Sequence, residues 1–226
     1  MAKNKSNNPN DGFQAIESTL SRTEQFIEKN QTKIIIIVVA VLAIIALFMA
    51  YQKLYKAPLN DKAQTQIYVA QQYFEKDSFD IALNGDGNYP GFLQIIENYG
   101  STSAGNVANY YAGISYIKLK DWDKAIKYLS DFSSSDDYLN PLAKGNIGDA
   151  YSEKGDDKKA AKYYQKAVDA NDNKFITPIY LMKLGRAYER LNDNANALKA
   201  YKTIKEKYFR SREARNIDKF ITRVEK

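Results

Sequence analysis

The sequence predicts an all-α chain: one transmembrane helix near the N-terminus, then an α-solenoid of about four helical hairpins closed by a capping helix. Three observations predict it. Residues 34–50 read "IIIIVVAVLAIIALFMA", seventeen apolar residues in succession. A Gly–Tyr–Ala pattern recurs three times after residue 110. The last residues, "SREARNIDKFITRVEK", place apolar side chains on one helical face.

The apolar run comes first in the chain. At 1.5 Å per residue a helix of this length spans roughly 25–30 Å, close to the thickness of a bilayer's hydrocarbon core. Lys33 closes one end, and Lys53 and Lys56 the other; Tyr51 and Tyr55 stand where interfacial aromatics are expected. A cleaved signal peptide is a poorer reading, because 33 residues precede the run and "LFMAYQ" is a weak cleavage site. Domain boundaries follow: a cytoplasmic tail over 1–33, the span with its flank over 34–56, and a repeat domain over 57–226. Counting of positive charge favours a cytoplasmic N-terminus only slightly, and long domains cross largely regardless of charge. Within the tail, Phe13, Ile16, Leu20, Thr23 and Ile27 share one helical face. That face suits either the membrane surface or a partner helix, or is simply an extension of the span.

Composition excludes much chemistry. The 226 residues contain no Cys and no His. Thiol nucleophiles, Ser–His pairs, Cys or His zinc sites, disulfides and a lipoprotein anchor are therefore ruled out. No phosphate-cradling loop is present, and the paired Asp of "KGDDKKA" fall in turns between helices. No catalytic residue, cofactor or metal is expected. The net charge is +6, with nine Lys/Arg against four Asp/Glu over residues 202–226. These charges are mixed in sign, so nucleic-acid binding is not expected, and a solvated helix face is the simpler reading.

The repeats are "YYAGISYIKLKDWDKAIKYL", "GNIGDAYSEKGDDKKAAKYY" and "MKLGRAYERLNDNANALKAY". Gly113, Gly148 and Gly185 are each followed three residues later by Tyr116, Tyr151 and Tyr188, and then by Ala125, Ala160 and Ala197; the repeat spacings are 35 and 37 residues. Gly permits close approach of the two helices of a hairpin, Tyr fills the layer between hairpins, and Ala sits where the helices cross. Leu129, Tyr164 and Tyr201 supply the next core layer, one helical turn on. Asp121, Asp156 and Asp193 precede each second helix and are good N-caps. "NP" at Asn140-Pro141 and "TP" at Thr177-Pro178 read as an N-cap followed by Pro at the first helical position.

A weaker first repeat runs from Val69 through Ala70, Tyr73 and Ala82, with Ser78 at the capping position. Its second half, "GFLQIIENY", matches "AYKTIKEKY" of the last repeat. Tyr73 to Tyr116 is 43 residues, a surplus of six over the 37 of Tyr151 to Tyr188. The surplus falls on "NGDGNYPG", residues 84–91. That stretch has one Asp and no Lys or Arg, so it is neither a calcium loop nor a phosphate cradle. It reads as a tolerated bulge or as a contact loop presenting Asn84, Asp86, Asn88 and Tyr89. At the far end Ala214, Ile217, Phe220, Ile221 and Val224 form the apolar face of a cap covering the last core layer.

The Gly–Tyr–Ala spacing resembles the tetratricopeptide (TPR) repeat. The resemblance implies a protein-binding groove lined by the first helix of each hairpin. Groove candidates are Ile67, Gln71, Phe74, Tyr110, Ile114, Ile117, Asp149, Met182, Arg186 and Glu189. These pass from apolar to polar along the chain, which suits an extended or partly unfolded polypeptide.

The whole layout, a tail ending "FIEKNQTK", one span, a lysine-flanked exit and a TPR array, is similar to the YfgM family; "DSFDIALNGDGNYPGFLQIIENYG" also looks like TPR proteins of Bacteroidota. The resemblance implies an ancillary subunit of the Sec translocon in a bacterial inner membrane, with its repeats in the periplasm. Partners would be translocon subunits, a PpiD-like chaperone and secreted polypeptides, with the bilayer engaged through residues 34–51. An anchored scaffold for another envelope assembly or secretion machine, or a cytoplasm-facing adaptor, is the alternative.

Overall fold

A computed structural model describes the backbone of residues 9–225 and the side chains of residues 26–225. The chain divides into two compact units, residues 1–57 and 58–226.

The first unit is helix α1 (Pro9–Tyr51), followed by a π turn over Gln52–Lys56. The apolar run lies in α1, with Ile34 half-buried and every side chain from Ile35 to Ala50 exposed. It belongs to the one helical stretch among the described residues that is long and apolar enough to cross a membrane. Tyr51 and Tyr55, one turn apart, stack with ring centroids 5.5 Å apart. The tail is helical from Pro9, but Phe13, Ile16, Leu20 and Thr23 lie outside the described side chains; Ile27 is exposed.

The second unit is built from helical hairpins. Helices α2 (Ala57–Glu75), α5 (Ser103–Lys118), α7 (Leu139–Glu153) and α9 (Thr177–Arg190) are the first helices. Helices α6 (Trp122–Asp131), α8 (Asp157–Ala170) and α10 (Asn194–Lys207) are second helices, and α11 (Ile217–Val224) is the cap. In the first hairpin the second helix is divided into α3 (Phe79–Asn84) and α4 (Phe92–Tyr99), with the surplus residues between them. Among the described residues there are no strands, only an isolated bridge between Gly85 and Pro90.

The packing follows the repeat pattern. Ala125, Ala160 and Ala197 are fully buried at the helix crossings. Each repeat glycine faces the large residue of the opposite helix. A Cβ would lie 2.5 Å from the Leu129 side chain at Gly113, 2.7 Å from Tyr164 at Gly148 and 2.3 Å from Tyr201 at Gly185. No other residue fits there without displacing that layer, and each such buried side chain contributes roughly 1.5–3 kcal/mol. Tyr116 stacks on Tyr128 and Tyr151 on Tyr163, both at 5.4 Å. The cap buries Ile217, Ile221 and Val224, and Phe220 meets the Tyr201 ring at 5.4 Å.

Three second helices are capped as the sequence predicts. The carboxylates of Asp121, Asp156 and Asp193 accept from the backbone N–H of Lys124 (3.2 Å), Lys159 (3.0 Å) and Asn196 (3.1 Å). Ser78 occupies the equivalent position but makes no capping bond. The starts of α7 and α9 differ from expectation. Thr177 is already helical, and its hydroxyl is turned back to the carbonyl of Asn171. Asn140 is likewise inside α7. Each turn is instead organised upstream. Asp136 Oδ1 accepts from Tyr138 and Leu139, both at 2.8 Å. Asn173 Oδ1 accepts from Phe175 (2.8 Å) and Ile176 (3.1 Å). A short carboxylate or amide that bonds the backbone two and three residues on is an Asx turn, which fixes where the chain turns into the helix.

Candidate interaction surface

The first helices of the hairpins carry the sequence-derived groove residues, in two chemically different groups. On α2 and α5 they are mostly aromatic or aliphatic. Ile67 is buried and Gln71 half-buried. The Phe74 ring makes edge contacts with Phe79 (5.5 Å), Phe92 (6.4 Å) and Tyr111 (5.1 Å). Tyr110 packs against Phe132 at 5.2 Å. Ile114 and Ile117 are half-buried beside the cluster of Leu129, Phe132, Ala143 and Ile147.

On α7 and α9 three of the four, Asp149, Arg186 and Glu189, are charged, and the next hairpin or the cap meets each of them. Asp149 accepts from Lys183 Nζ at 2.7 and 2.8 Å and from the Tyr164 hydroxyl at 2.8 Å. Burial and the Asp149 carboxylate raise the Tyr164 phenol well above its ordinary pKa, so it donates at any physiological pH. Glu189 accepts from Arg223 of the cap at 2.6 Å and from the Tyr201 hydroxyl. Burial disfavours the Glu189 carboxylate, but the Arg223 guanidinium and Tyr201 hydroxyl outweigh it and hold its pKa below the usual value. Met182 is buried, whereas Arg186 is exposed with its guanidinium 5.4 Å from the Phe220 ring centroid. Arg186, Met182 and Phe220 line a cavity of about 370 Å³ at the end of this face.

The surplus loop is ordered by its own aspartate. Asp86 Oδ1 accepts from the backbone N–H of Asn88 (2.9 Å) and Tyr89 (2.7 Å), the same Asx device that precedes α7 and α9. Asp86 Oδ2 accepts from the Tyr73 hydroxyl of α2 at 2.8 Å. The Tyr89 N–H and the Tyr73 hydroxyl are the main causes that hold the Asp86 carboxyl below its ordinary pKa. Asn84, Asn88 and Tyr89 are exposed. They border a polar cavity of about 290 Å³ together with Gln66, Gln94 and Asn98. Among the described residues no cluster of three His, Cys, Asp or Glu forms a cation site.

One further concavity has no counterpart in the sequence reading. It lies between the turn that precedes α9 and the segment that follows α10. Phe175, Ile179, Tyr208 and Phe209 wall a space of about 780 Å³. The only signal in the sequence is a Phe in each of two polar turns, "NDNKFITP" and "KYFRSRE", outside the repeat pattern.

Comparison with known proteins agrees with this architecture. Tetratricopeptide-repeat models match residues 110–174 and 180–208. Among solved structures, two crystal structures of a Podospora anserina protein assigned as a kinesin light chain, with nearly identical TPR-like repeats, align at TM-scores of 0.54 and 0.53. Both are 12% identical and cover 72% of this chain, and the match takes in 84% and 85% of theirs. The MamA protein aligns at a TM-score of 0.50 with 17% identity, covering 72% of this chain and 89% of that one. At these identities the likeness establishes the fold alone. No curated protein matches the sequence.

Proposed function

We propose that this chain, a tetratricopeptide-repeat protein-interaction module, is an ancillary subunit of the Sec translocon held in a bacterial inner membrane. In this reading residues 1–33 are cytoplasmic, residues 34–56 carry the span, and residues 57–226 stand in the periplasm. There the repeats hold a PpiD-like chaperone, bind secreted polypeptides as they emerge, or both.

The observation that carries the reading is the joining of one uninterrupted apolar run, Ile34–Ala50, to a TPR array in a single chain. That layout resembles the YfgM family. Two features favour a binding role over catalysis. The repeat fold is an interaction scaffold, and its polar clusters are absorbed in packing, as with Asp149 and Lys183. The apolar stretch of first-helix residues, Phe74, Tyr110, Ile114 and Ile117, suits a partly unfolded segment.

The test is affinity purification of the full-length protein in mild detergent, with mass spectrometry. Translocon and PpiD-like subunits are expected to be enriched over a control carrying only residues 1–57. Their absence, with another envelope machine recovered instead, refutes the translocon assignment. A reporter fused after Lys226 is expected to be active only outside the cytoplasm; activity confined to the cytoplasm marks a cytoplasm-facing adaptor.

A further inference from the structure

Two Phe side chains in the repeat unit stand largely in water, Phe209 with only the Arg210 guanidinium over its ring, 5.4 Å from the centroid. Phe175 is 77% exposed and Phe209 65%, more than any other large hydrophobic residue in 58–225. They are brought together by the fold. The Tyr208 hydroxyl donates to Asp172, and Lys207 pairs with the same carboxylate at 2.7 Å, which ties the end of α10 to the turn before α9. Both segments are fixed in themselves. Asn173 holds the first by its Asx turn. In the second, the Ser211 N–H donates to the Tyr208 carbonyl at 2.8 Å, and the Ser211 hydroxyl accepts from Ala214. The exposed rings are therefore presented on ordered backbone, at the mouth of the 780 Å³ cavity.

The rim of that cavity is positive. Lys174, Arg210 and Arg212 line it, and among the described residues none has a carboxylate within ion-pair distance. Lys207 is already neutralised by Asp172. Glu213 is the single acid in the lining. On α9 the fold pairs Lys183 and Arg190 with carboxylates of the preceding hairpin, as Lys183–Asp149 and Arg190–Asp157. Here Lys174, Arg210 and Arg212 stand without a carboxylate partner among the described residues, beside an apolar hollow.

We propose that this cavity docks an acidic peptide segment carrying one or two large apolar side chains. The apolar side chain enters between Phe175, Ile179 and Phe209. Its flanking carboxylates meet Arg210 and Arg212, whose planar guanidinium groups suit bidentate carboxylate contacts. Exposed aromatic and Arg side chains around a pocket are the usual composition of an interaction hot spot. The volume fits a few side chains. Single-stranded nucleic acid needs cations along a track. The site lies at the edge of the array, where it adjoins the terminal cavity of the groove through Ile179, Arg212 and Glu213. It does not rest on the translocon reading or on the side of the membrane the repeats face.

The test is fluorescence anisotropy on the full-length protein in nanodiscs of neutral lipid. The probe is a labelled dodecapeptide in which glutamates flank Phe and Leu; the comparator has lysines in place of the glutamates. Saturable binding of the acidic probe alone is expected, weakened by added salt. The pair F175S/F209S and the pair R210E/R212E are each expected to lose about tenfold or more in affinity. Q72A, exposed at the other end of the array and outside the groove candidates, is expected to leave it unchanged. Helical circular dichroism is expected to be retained in all, since every replaced residue of the site is exposed. Equal binding of the lysine peptide, absence of saturable acidic binding, or unchanged affinity in both pairs overturns the proposal. So does preferential capture of phosphatidylglycerol vesicles that F175S/F209S abolishes, which would assign the hollow to a membrane surface.

Discussion

The first repeat and the three that follow fill the same core layer by different means. In the regular repeats a large residue lands on the glycine of the opposite helix four residues after the crossing Ala: Leu129, Tyr164 and Tyr201. In the first repeat Ala70 holds the glycine position, and the matching large residue, Phe92, comes ten residues after Ala82. The intervening loop closes on itself. A Cβ on Gly91 would lie 2.3 Å from the Leu83 carbonyl oxygen, and Gly85 bridges to Pro90. The chain thus leaves the helix and returns to the point of departure, and Phe92 enters the layer fully buried. What the solenoid conserves is the layer, and the number of residues between its members is free wherever a loop can close.

The largest expected effect tests that statement directly. Phe92→Ala empties the layer position and is expected to cost ~3–5 kcal/mol, as other buried Phe truncations do. Chemical denaturation followed by circular dichroism measures it. Because repeat units contact only their neighbours, hydrogen exchange is expected to accelerate in α2 to α5 and to stay slow in α9 and α10. A cost below ~1 kcal/mol would mean that Phe92 is not the counterpart of Tyr201, and that the first repeat is held by other contacts.

A smaller effect sharpens the comparison at the helix starts. Asp121→Ala removes a carboxylate that bonds the Lys124 N–H and is expected to cost ~1 kcal/mol. Ser78→Ala removes a hydroxyl with no such bond and is expected to fall within ~0.5 kcal/mol. Equal costs in the two variants would show that position 78 caps its helix after all, and would erase this difference between the repeats.

The parts of this fold that are legible in the sequence are those that recur. Gly, Tyr, Ala and Asp stand at the same offsets in three repeats, and the offsets alone locate the crossing, the layer and the cap. The misplaced starts of α7 and α9 have a local cause. Thr177-Pro178 looks the same whether Thr177 caps the helix or begins it, and the decision is made by Asn173, four residues upstream. The charged groove residues show a different limit. Helical period places Asp149 and Glu189 on the inner face but says nothing of Lys183 and Arg223, which the next hairpin and the cap set opposite them. Phe175 and Phe209 belong to no period at all, and only the folding of two turns onto each other makes them one surface.

The smallest expected effect concerns the loop that separates the two kinds of repeat. Its anchor is proton-dependent: the ionised Asp86 carboxylate accepts from Tyr73, Asn88 and Tyr89 more strongly than the neutral acid would, and Tyr73 must keep its proton to donate. The Asp86 pKa is lowered in the folded chain, chiefly by the Tyr89 N–H and then by the Tyr73 hydroxyl. A depressed carboxyl contributes stability that is present above its unfolded pKa, about 4, and is lost as pH falls through the folded value. The Tyr73 pKa is raised, chiefly by its bond to Asp86. A raised phenol contributes stability that is present below its unfolded pKa, about 10, and is lost as pH rises through the folded value. The loop is therefore expected to be docked across the neutral range and released at both extremes, while the buried layer behind Phe92 persists. Amide exchange at Asn88 and Tyr89, corrected for intrinsic rates, is expected to be slowest in the neutral range. Asp86→Ala is expected to speed it several-fold across the neutral range and to make little difference at the extremes, where the wild-type loop is already released. Asp86→Asn keeps an acceptor oxygen for the two N–H groups but does not titrate, and is expected to remove the acid limb alone. Unchanged exchange in Asp86→Ala would mean that the Gly85–Pro90 bridge orders the loop without its aspartate.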